Sequence, residues 1–146
     1  MGVLHVEAEG TTSAGPEVVW AMLADVTQYA VWGPWDDCGY EQPGKTSPHG
    51  VGAVRRLRYG WTTTIEEILE IDEGRRLAYT VIRGIPVKDY RGEVTLTPSA
   101  DGTHIRWTAD WRATVPGRAV RLVLRNVFPK VVAGLVAAAD AVVAGP

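Results

Sequence analysis

Apolar positions recur along this chain with two different periods. Over residues 116–143 they fall at three-, four- and seven-residue steps, at Val120, Leu124, Val127, Val131, Leu135 and Val142, which is the spacing of one face of an α-helix. Leu122, Val123, Phe128, Val132 and Val136 widen that stripe, so the segment reads as one long helix with much of its circumference covered. Pro129 falls inside it. Its missing backbone donor and its ring predict a kink there. Upstream the dominant period is two. Residues 3–12 alternate as a first strand. Pro16 and Glu17 then suit the start of a helix that ends near Asp25, and a second short helix covers 26–32 before Gly33-Pro34 stops it. Residues 33–50 are a Pro- and Gly-rich loop with a short strand at 37–42. Five strand-like segments follow at 51–59, 62–71, 75–83, 88–97 and 103–114, separated by turn signals that include Asp72-Glu73-Gly74, Gly84-Ile85-Pro86 and the 98–102 stretch.

Strands joined by short turns form an antiparallel meander. Its one apolar face needs a partner, and the long C-terminal helix is the element left to cover it. Alternation assigns the inward positions: Ile105, Trp107, Ala109 and Trp111 in the last strand; Tyr90, Val94 and Leu96; Leu77, Tyr79 and Val81; Leu57 and Tyr59; and Ile65, Leu69 and Ile71. Arg83 continues the register of Leu77, Tyr79 and Val81, so its guanidinium is expected near the inner face. Glu67 shares the apolar side of its strand, with Glu66 and Glu70 facing water. A buried Glu67 needs a partner, for which Arg55 on the adjacent strand is the candidate. It reads as a structural carboxylate before a catalytic base.

Composition changes this picture in one respect. The 146 residues are 46% hydrophobic and 22% charged with net charge -2, ordinary values for one globular domain spanning 1–146. They give no electrostatic case for nucleic acid or an anionic membrane. Four cations and Asp140 in the 116–143 run argue against stable membrane insertion. A lone Cys38 excludes internal disulfides and suits a reducing cytoplasm. The unusual feature is six Trp and five Tyr beside a single Phe, since Trp and Tyr pair an apolar body with a polar handle. Tyr59, Tyr79, Tyr90, Trp107 and Trp111 fall on the inward face, with Trp32 and Trp35 closing one end and Leu124 and Phe128 facing them from the helix. Two readings stand. The aromatics either fill the core, with Arg83 reaching solvent, or line an apolar cavity with a few polar groups, the usual description of a ligand site.

No metal or cofactor is expected. His5, His49 and His104 lack ligand spacing, and His49 reads as an exposed loop residue. There is no nucleophile elbow, phosphate-binding loop or dinucleotide fingerprint. Cys38, without a nearby base, reads as inert.

The segment from Ala14 through Gly15-Pro16-Glu17-Val18-Val19-Trp20-Ala21-Met22-Leu23-Ala24 to Asp25, followed by Tyr29 and Trp32, resembles the "A-x-P-E-x-V-W-x-x-L-x-D" opening of the START-like or Bet v 1-like (SRPBCC) superfamily. Glu67-Ile68-Leu69-Glu70-Ile71 running into Arg76-Leu77-Ala78-Tyr79 is similar to its middle, and Leu96-Thr97-Pro98 through Gly102-Thr103 to its "L-x-P-x-x-x-G-T" turn. The resemblance covers nearly the whole chain and lies closest to the bacterial polyketide cyclase/dehydrase and lipid-transport branch. It implies an α+β helix-grip fold, a curved antiparallel sheet of six to seven strands wrapped around the long C-terminal helix, with two short helices after strand 1 and a hydrophobic cavity between sheet and helix. It brings no catalytic residue with it. Three functions follow: binding of a hydrophobic, aromatic or polyketide-like small molecule; a polyketide cyclase or dehydratase acting in the same cavity; or a protein-interaction module with a filled core. The binding residues expected for the first are Trp32, Trp35, Tyr59, Tyr79, Arg83, Tyr90, Trp107, Trp111, Leu124 and Phe128. For the second, a tyrosine or Arg83 would polarise a carbonyl and Glu67 would take a proton. The oligomeric state is not legible.

Overall fold

A computed structural model describes residues 2–145. The chain forms β1 (Val3–Thr12), α1 (Pro16–Ala24), a 3-10 turn (Val26–Gln28), α2 (Tyr29–Trp32), β2 (Asp37–Gln42), β3 (Val54–Tyr59), β4 (Thr62–Asp72), β5 (Arg76–Arg83), β6 (Arg91–Ser99), β7 (Gly102–Arg112) and α3 (Val115–Ala144). The seven strands make one antiparallel sheet in the order β1-β7-β6-β5-β4-β3-β2. This is the helix-grip α+β arrangement that the family resemblance implies.

Local chemistry sets the boundaries. Pro16 occupies the first turn of α1, where its missing N–H costs nothing. The Asp25 side chain accepts from the Thr27 backbone and caps the 3-10 turn. Thr114 caps α3 by accepting from the Gly117 N–H at 2.9 Å. Asp140, near the far end of α3, accepts from the Ser13 N–H at 3.1 Å and from the Thr12 hydroxyl, tying the β1–α1 turn to the helix.

α3 is long and apolar enough to cross a bilayer, but here it is the helix the sheet closes around. Gly117, Val120, Phe128, Val131, Val132, Leu135 and Ala139 are its buried residues. Leu122, Val123 and Val142 are exposed, so the stripe read from sequence is wider than the face that packs. The helix runs uninterrupted through Pro129, which is exposed. Gly134 permits a close approach to the end of α2: a Cβ there would lie 2.3 Å from the Trp32 carbonyl oxygen.

Ile105, Trp107, Ala109 and Trp111 are all buried, as are Tyr90, Val94, Leu96, Leu77, Tyr79 and Leu57. The alternation fails in β4. The β4–β5 register shifts between Ile68 and Glu70, so Leu69 is an extra residue, and again between Ile65 and Glu66, where Ile82 is extra on β5. A bulge inverts side-chain parity along the strand. Ile71 therefore pairs with Leu77 on the inner face, but upstream of Leu69 the inward residues are Ile68, Glu66, Thr64 and Thr62. Glu66, not Glu67, is buried; Leu69 is 37% exposed. The Ile82 bulge also turns Arg83, opposite Ile65, to the outer face, where it is exposed. The expected inward placement of Arg83 and Glu67 is thus corrected by two bulges that alternation does not reveal.

Candidate functional site

A cavity of about 210 Å³ lies between the sheet and the first half of α3. β3 supplies Arg55, Leu57 and Tyr59 in strict alternation, and β4 supplies Thr62, Thr64 and Glu66. Tyr79 and Val81 come from β5, and Tyr90 and Trp107 from β6's approach and β7. α3 closes the space with Val120, Val123, Leu124, Val127, Phe128 and Val131, while Tyr29 and Trp35 close the end nearest α2. Tyr59, Thr62 and Val123 are exposed and mark the mouth. The volume falls below the several hundred Å³ usual for a drug-sized ligand, because aromatic rings occupy the inner end. Tyr29 packs on Trp32 and Trp35 with ring centroids 4.8 and 5.3 Å apart, and Trp107 lies 6.4 Å from Phe128.

Of the ten residues expected to bind ligand, Trp35, Tyr59, Tyr79, Tyr90, Trp107, Leu124 and Phe128 line this cavity. Three do not. Arg83 is on the outer face. Trp32 stands behind Tyr29, its indole donating to the Met22 carbonyl at 3.2 Å. Trp111 stacks on Tyr90 and donates to the Gly117 carbonyl at 3.0 Å, so it supports the wall from behind.

The polar centre of the cavity pairs Arg55 with Glu66, one position from the Glu67 expected from sequence. Arg55, only 1% exposed, donates to Glu66 Oε1 at 2.6 Å and to the Tyr29 hydroxyl at 3.1 Å. Tyr29 in turn donates to the Leu23 carbonyl at 2.7 Å. The guanidinium carbon sits 5.2 Å from the Tyr29 ring centre and 5.4 Å from that of Tyr79, within cation–π range of both. Arg55 Nε has no protein partner although it is buried. Beside it, Trp107 donates to the Tyr79 hydroxyl at 3.0 Å. Arg55 was the right partner for a buried glutamate; the bulge at Leu69 moved the glutamate by one position. The alternation of Arg55 with Leu57 and Tyr59 carried the signal that would have placed the arginine inside. Tyr29 gave no such signal, since one residue in a short helix has no readable face.

The electrostatics follow from burial. Desolvation holds the Glu66 carboxyl above the ordinary carboxylate range despite the Arg55 contact. Burial opposes the Arg55 cation, but Tyr29 and Glu66 outweigh it and the arginine stays charged. Desolvation pushes the Tyr29 phenol up to about 12, and those of Tyr79 and Tyr90 upward as well. All three phenols are therefore neutral hydrogen-bonding groups near pH 7.

The remaining candidates have other partners. His49 Nδ1 lies 2.6 Å from the Tyr40 hydroxyl, away from the cavity lining. Burial raises the Cys38 thiol to about 12, which keeps it from being a thiolate nucleophile. Among the described residues no three His, Cys, Asp or Glu side chains are grouped to hold a metal ion.

This architecture has relatives. Residues 3–143 match a family model described as polyketide cyclase / dehydrase and lipid transport. The chain belongs to that family. Among solved structures, the aromatase/cyclase Zhui from a Streptomyces species superposes with a TM-score of 0.76 at 25% identity, covering 99% of each chain. A Thermobifida fusca protein superposes at 0.74 with 25% identity over 95% of this chain and 93% of that one. A Nitrosospira multiformis protein does so at 0.76 with 21% identity over 92% and 94%. No curated protein matches the chain in sequence. Membership in the family and the aromatase/cyclase neighbour support a ligand-binding or cyclase role for this fold.

Proposed function

We propose that the protein binds a hydrophobic, aromatic or polyketide-like small molecule in the cavity between the sheet and α3. The observation that carries this reading is the Arg55–Glu66 pair in an otherwise aromatic and aliphatic wall. Packing alone would be served as well or better by apolar residues, because a buried ion pair is often no more stable than a hydrophobic replacement. An apolar cavity with one charged, hydrogen-bonded centre suits a ligand that stacks on Trp35, Tyr79 and Trp107 and turns one polar atom toward Arg55. Quenching of tryptophan fluorescence by aromatic ketones, flavonoids and lipids tests it. Saturable quenching by an aromatic ketone is expected; no quenching by any of them would refute it.

A second reading makes the same cavity a cyclase or dehydratase site, and Glu66 favours it. A carboxyl raised by desolvation and placed beside a guanidinium and neutral phenols is an acid–base group in the wall of a site. In an aldol closure of a poly-β-ketone, Glu66 would take the proton from the carbon between two carbonyls. Arg55 would hold the resulting enolate oxygen, and the new C–C bond would form to a second carbonyl folded within reach. The alkoxide then regains the proton, and water leaves in the dehydration. Here Glu66 and Arg55 take the roles that sequence alone gave to Glu67 and Arg83. Glu66→Gln separates the readings: turnover of a poly-β-ketone analogue falls about 100-fold or more with binding retained if the reaction occurs, whereas unchanged turnover removes Glu66 from the chemistry. The similarity to an aromatase/cyclase supports this reading without naming the substrate.

A further inference from the structure

Building on the ligand-binding reading, we infer that the cavity selects an aromatic ligand of one or two fused rings carrying a neutral acceptor oxygen, a ketone or phenol, that points at Arg55. Three features carry this. The first is size. An apolar cavity of about 150 Å³ holds one benzene, and drug-sized ligands use about 300 Å³ or more. The 210 Å³ found here lies between them and has room for two fused rings but not four.

The second is that the walls are pinned rather than adaptable. The Trp107 indole is held by the Tyr79 hydroxyl, and Tyr29 by the Leu23 carbonyl and Arg55. Tyr79 itself lies over Gly92, where a Cβ would come within 2.2 Å of the ring. A larger ligand held wholly inside would have to break these hydrogen bonds, so the enclosed volume is a property of the wall and not of loosely packed rotamers.

The third is the donor inventory. A guanidinium carries five N–H donors and no acceptor. Arg55 directs one hydrogen bond to Tyr29 and one to Glu66, and its buried Nε–H has no protein partner. Tyr29 already accepts from Arg55 and donates to Leu23, so it offers a ligand little. What Arg55 lacks at its Nε–H is an acceptor. Glu66 already supplies the balancing negative charge at 2.6 Å; a carboxylate ligand would set a second anion beside it in a desolvated space, which favours a neutral oxygen.

Four probes test the inference: naphthalene, 2-acetylnaphthalene, 2-naphthoate and the four-ring ketone benzanthrone, titrated against the whole chain by tryptophan quenching. Trp61→Phe serves as the background, because it removes a fully exposed indole outside the cavity lining. 2-Acetylnaphthalene is expected to bind about tenfold more tightly than naphthalene, a typical effect of one hydrogen bond to a charged donor, and more tightly than 2-naphthoate and benzanthrone. Phe128→Ala, or the milder Leu124→Ala if the first is poorly folded, should narrow or invert the preference over benzanthrone by enlarging the space. Equal or tighter binding of benzanthrone by the unenlarged chain overturns the size limit. Equal binding of naphthalene overturns the acceptor at Arg55, and tighter binding of 2-naphthoate overturns its neutrality. Absence of binding by every probe counts instead against the ligand-binding reading on which the inference rests.

Discussion

The two halves of the sheet are built on different terms. In β1, β7 and β6 the register runs without a shift. The inward positions there are Leu4, Val6, Ile105, Ala109, Val94 and Leu96, all buried. The outer face carries exposed ion pairs such as Arg106 to Glu7 at 3.0 Å. In β3, β4 and β5 the register slips twice, and the inward positions include Arg55, Glu66, Thr62 and Thr64. The regular half is apolar inside and charged outside, as packing requires. The bulged half places a charge pair inside and opens a cavity around it. Bulges that re-aim side chains are common next to sites, and here they deliver Glu66 to Arg55.

That difference is broken most severely by removing Arg55. Arg55→Leu leaves Glu66 buried without its partner, and breaking a buried pair costs about 3–5 kcal/mol. The loss is pH-dependent. Burial already raises the Glu66 pKa above its unfolded value, and losing the cation raises it further. The protonated carboxyl is tolerated, so stability is retained at low pH and lost as pH rises through the folded pKa. Urea denaturation should therefore show a larger deficit at pH 8 than at pH 5. The matching change in the regular half, Arg106→Leu, removes an exposed pair and should alter stability by less than about 1 kcal/mol. Equal deficits in the two variants would dissolve the contrast.

Gly92→Ala comes next. It drives a Cβ into the Tyr79 ring and should lower stability by about 1–3 kcal/mol, as overpacking does, while weakening ligand binding by displacing the Tyr79–Trp107 hydrogen bond. Thermal unfolding and quenching titrations read both effects. Pro129→Ala tests the helix that spans both halves. Restoring a backbone donor in mid-helix should raise stability by up to about 3 kcal/mol. The variant is also expected to shift ligand affinity; unchanged affinity would mean that Pro129 has no part in shaping the cavity.

The smallest effect belongs to the outer face of the regular half. Hydrogen bonds donated to Glu7 first, and then to Asp110, raise the pKa of His5. A raised histidine contributes stability below its unfolded pKa, near about 6.5, and loses it as pH rises through the folded value. With the His5 side chain 43% exposed, the contribution should stay within about 0.5 kcal/mol. A slight fall in Tm between pH 6 and pH 8 that disappears in His5→Gln is the expected pattern.

The legibility of the molecule follows the same division. Alternation in β7 placed Ile105, Trp107, Ala109 and Trp111 inward because nothing interrupts that strand, and helical spacing placed α3 over them. In β4 the apolar residues Ile65, Leu69 and Ile71 share a parity that the chain does not keep, since Leu69 is the extra residue of a bulge. Unbroken alternation therefore puts Glu67 inward in place of Glu66, and carries Arg83 to the inner face where the Ile82 bulge turns it outward. Exposure of Leu122 and Val142 shows a further limit: an apolar stripe states what could be buried, not how wide a face the sheet covers. Tyr29 and the unpartnered Arg55 Nε depend on distances between remote segments, for which periodicity holds no signal.

The most direct test of the central claim locates a bound ligand. Intermolecular NOEs from 2-acetylnaphthalene to protein methyl groups should reach Val81 on β5 and Leu124, Val127 and Val131 on α3, which face the cavity together. NOEs confined to Val132 and Val136, along the groove between α3 and β1, would place the ligand elsewhere and contradict the account.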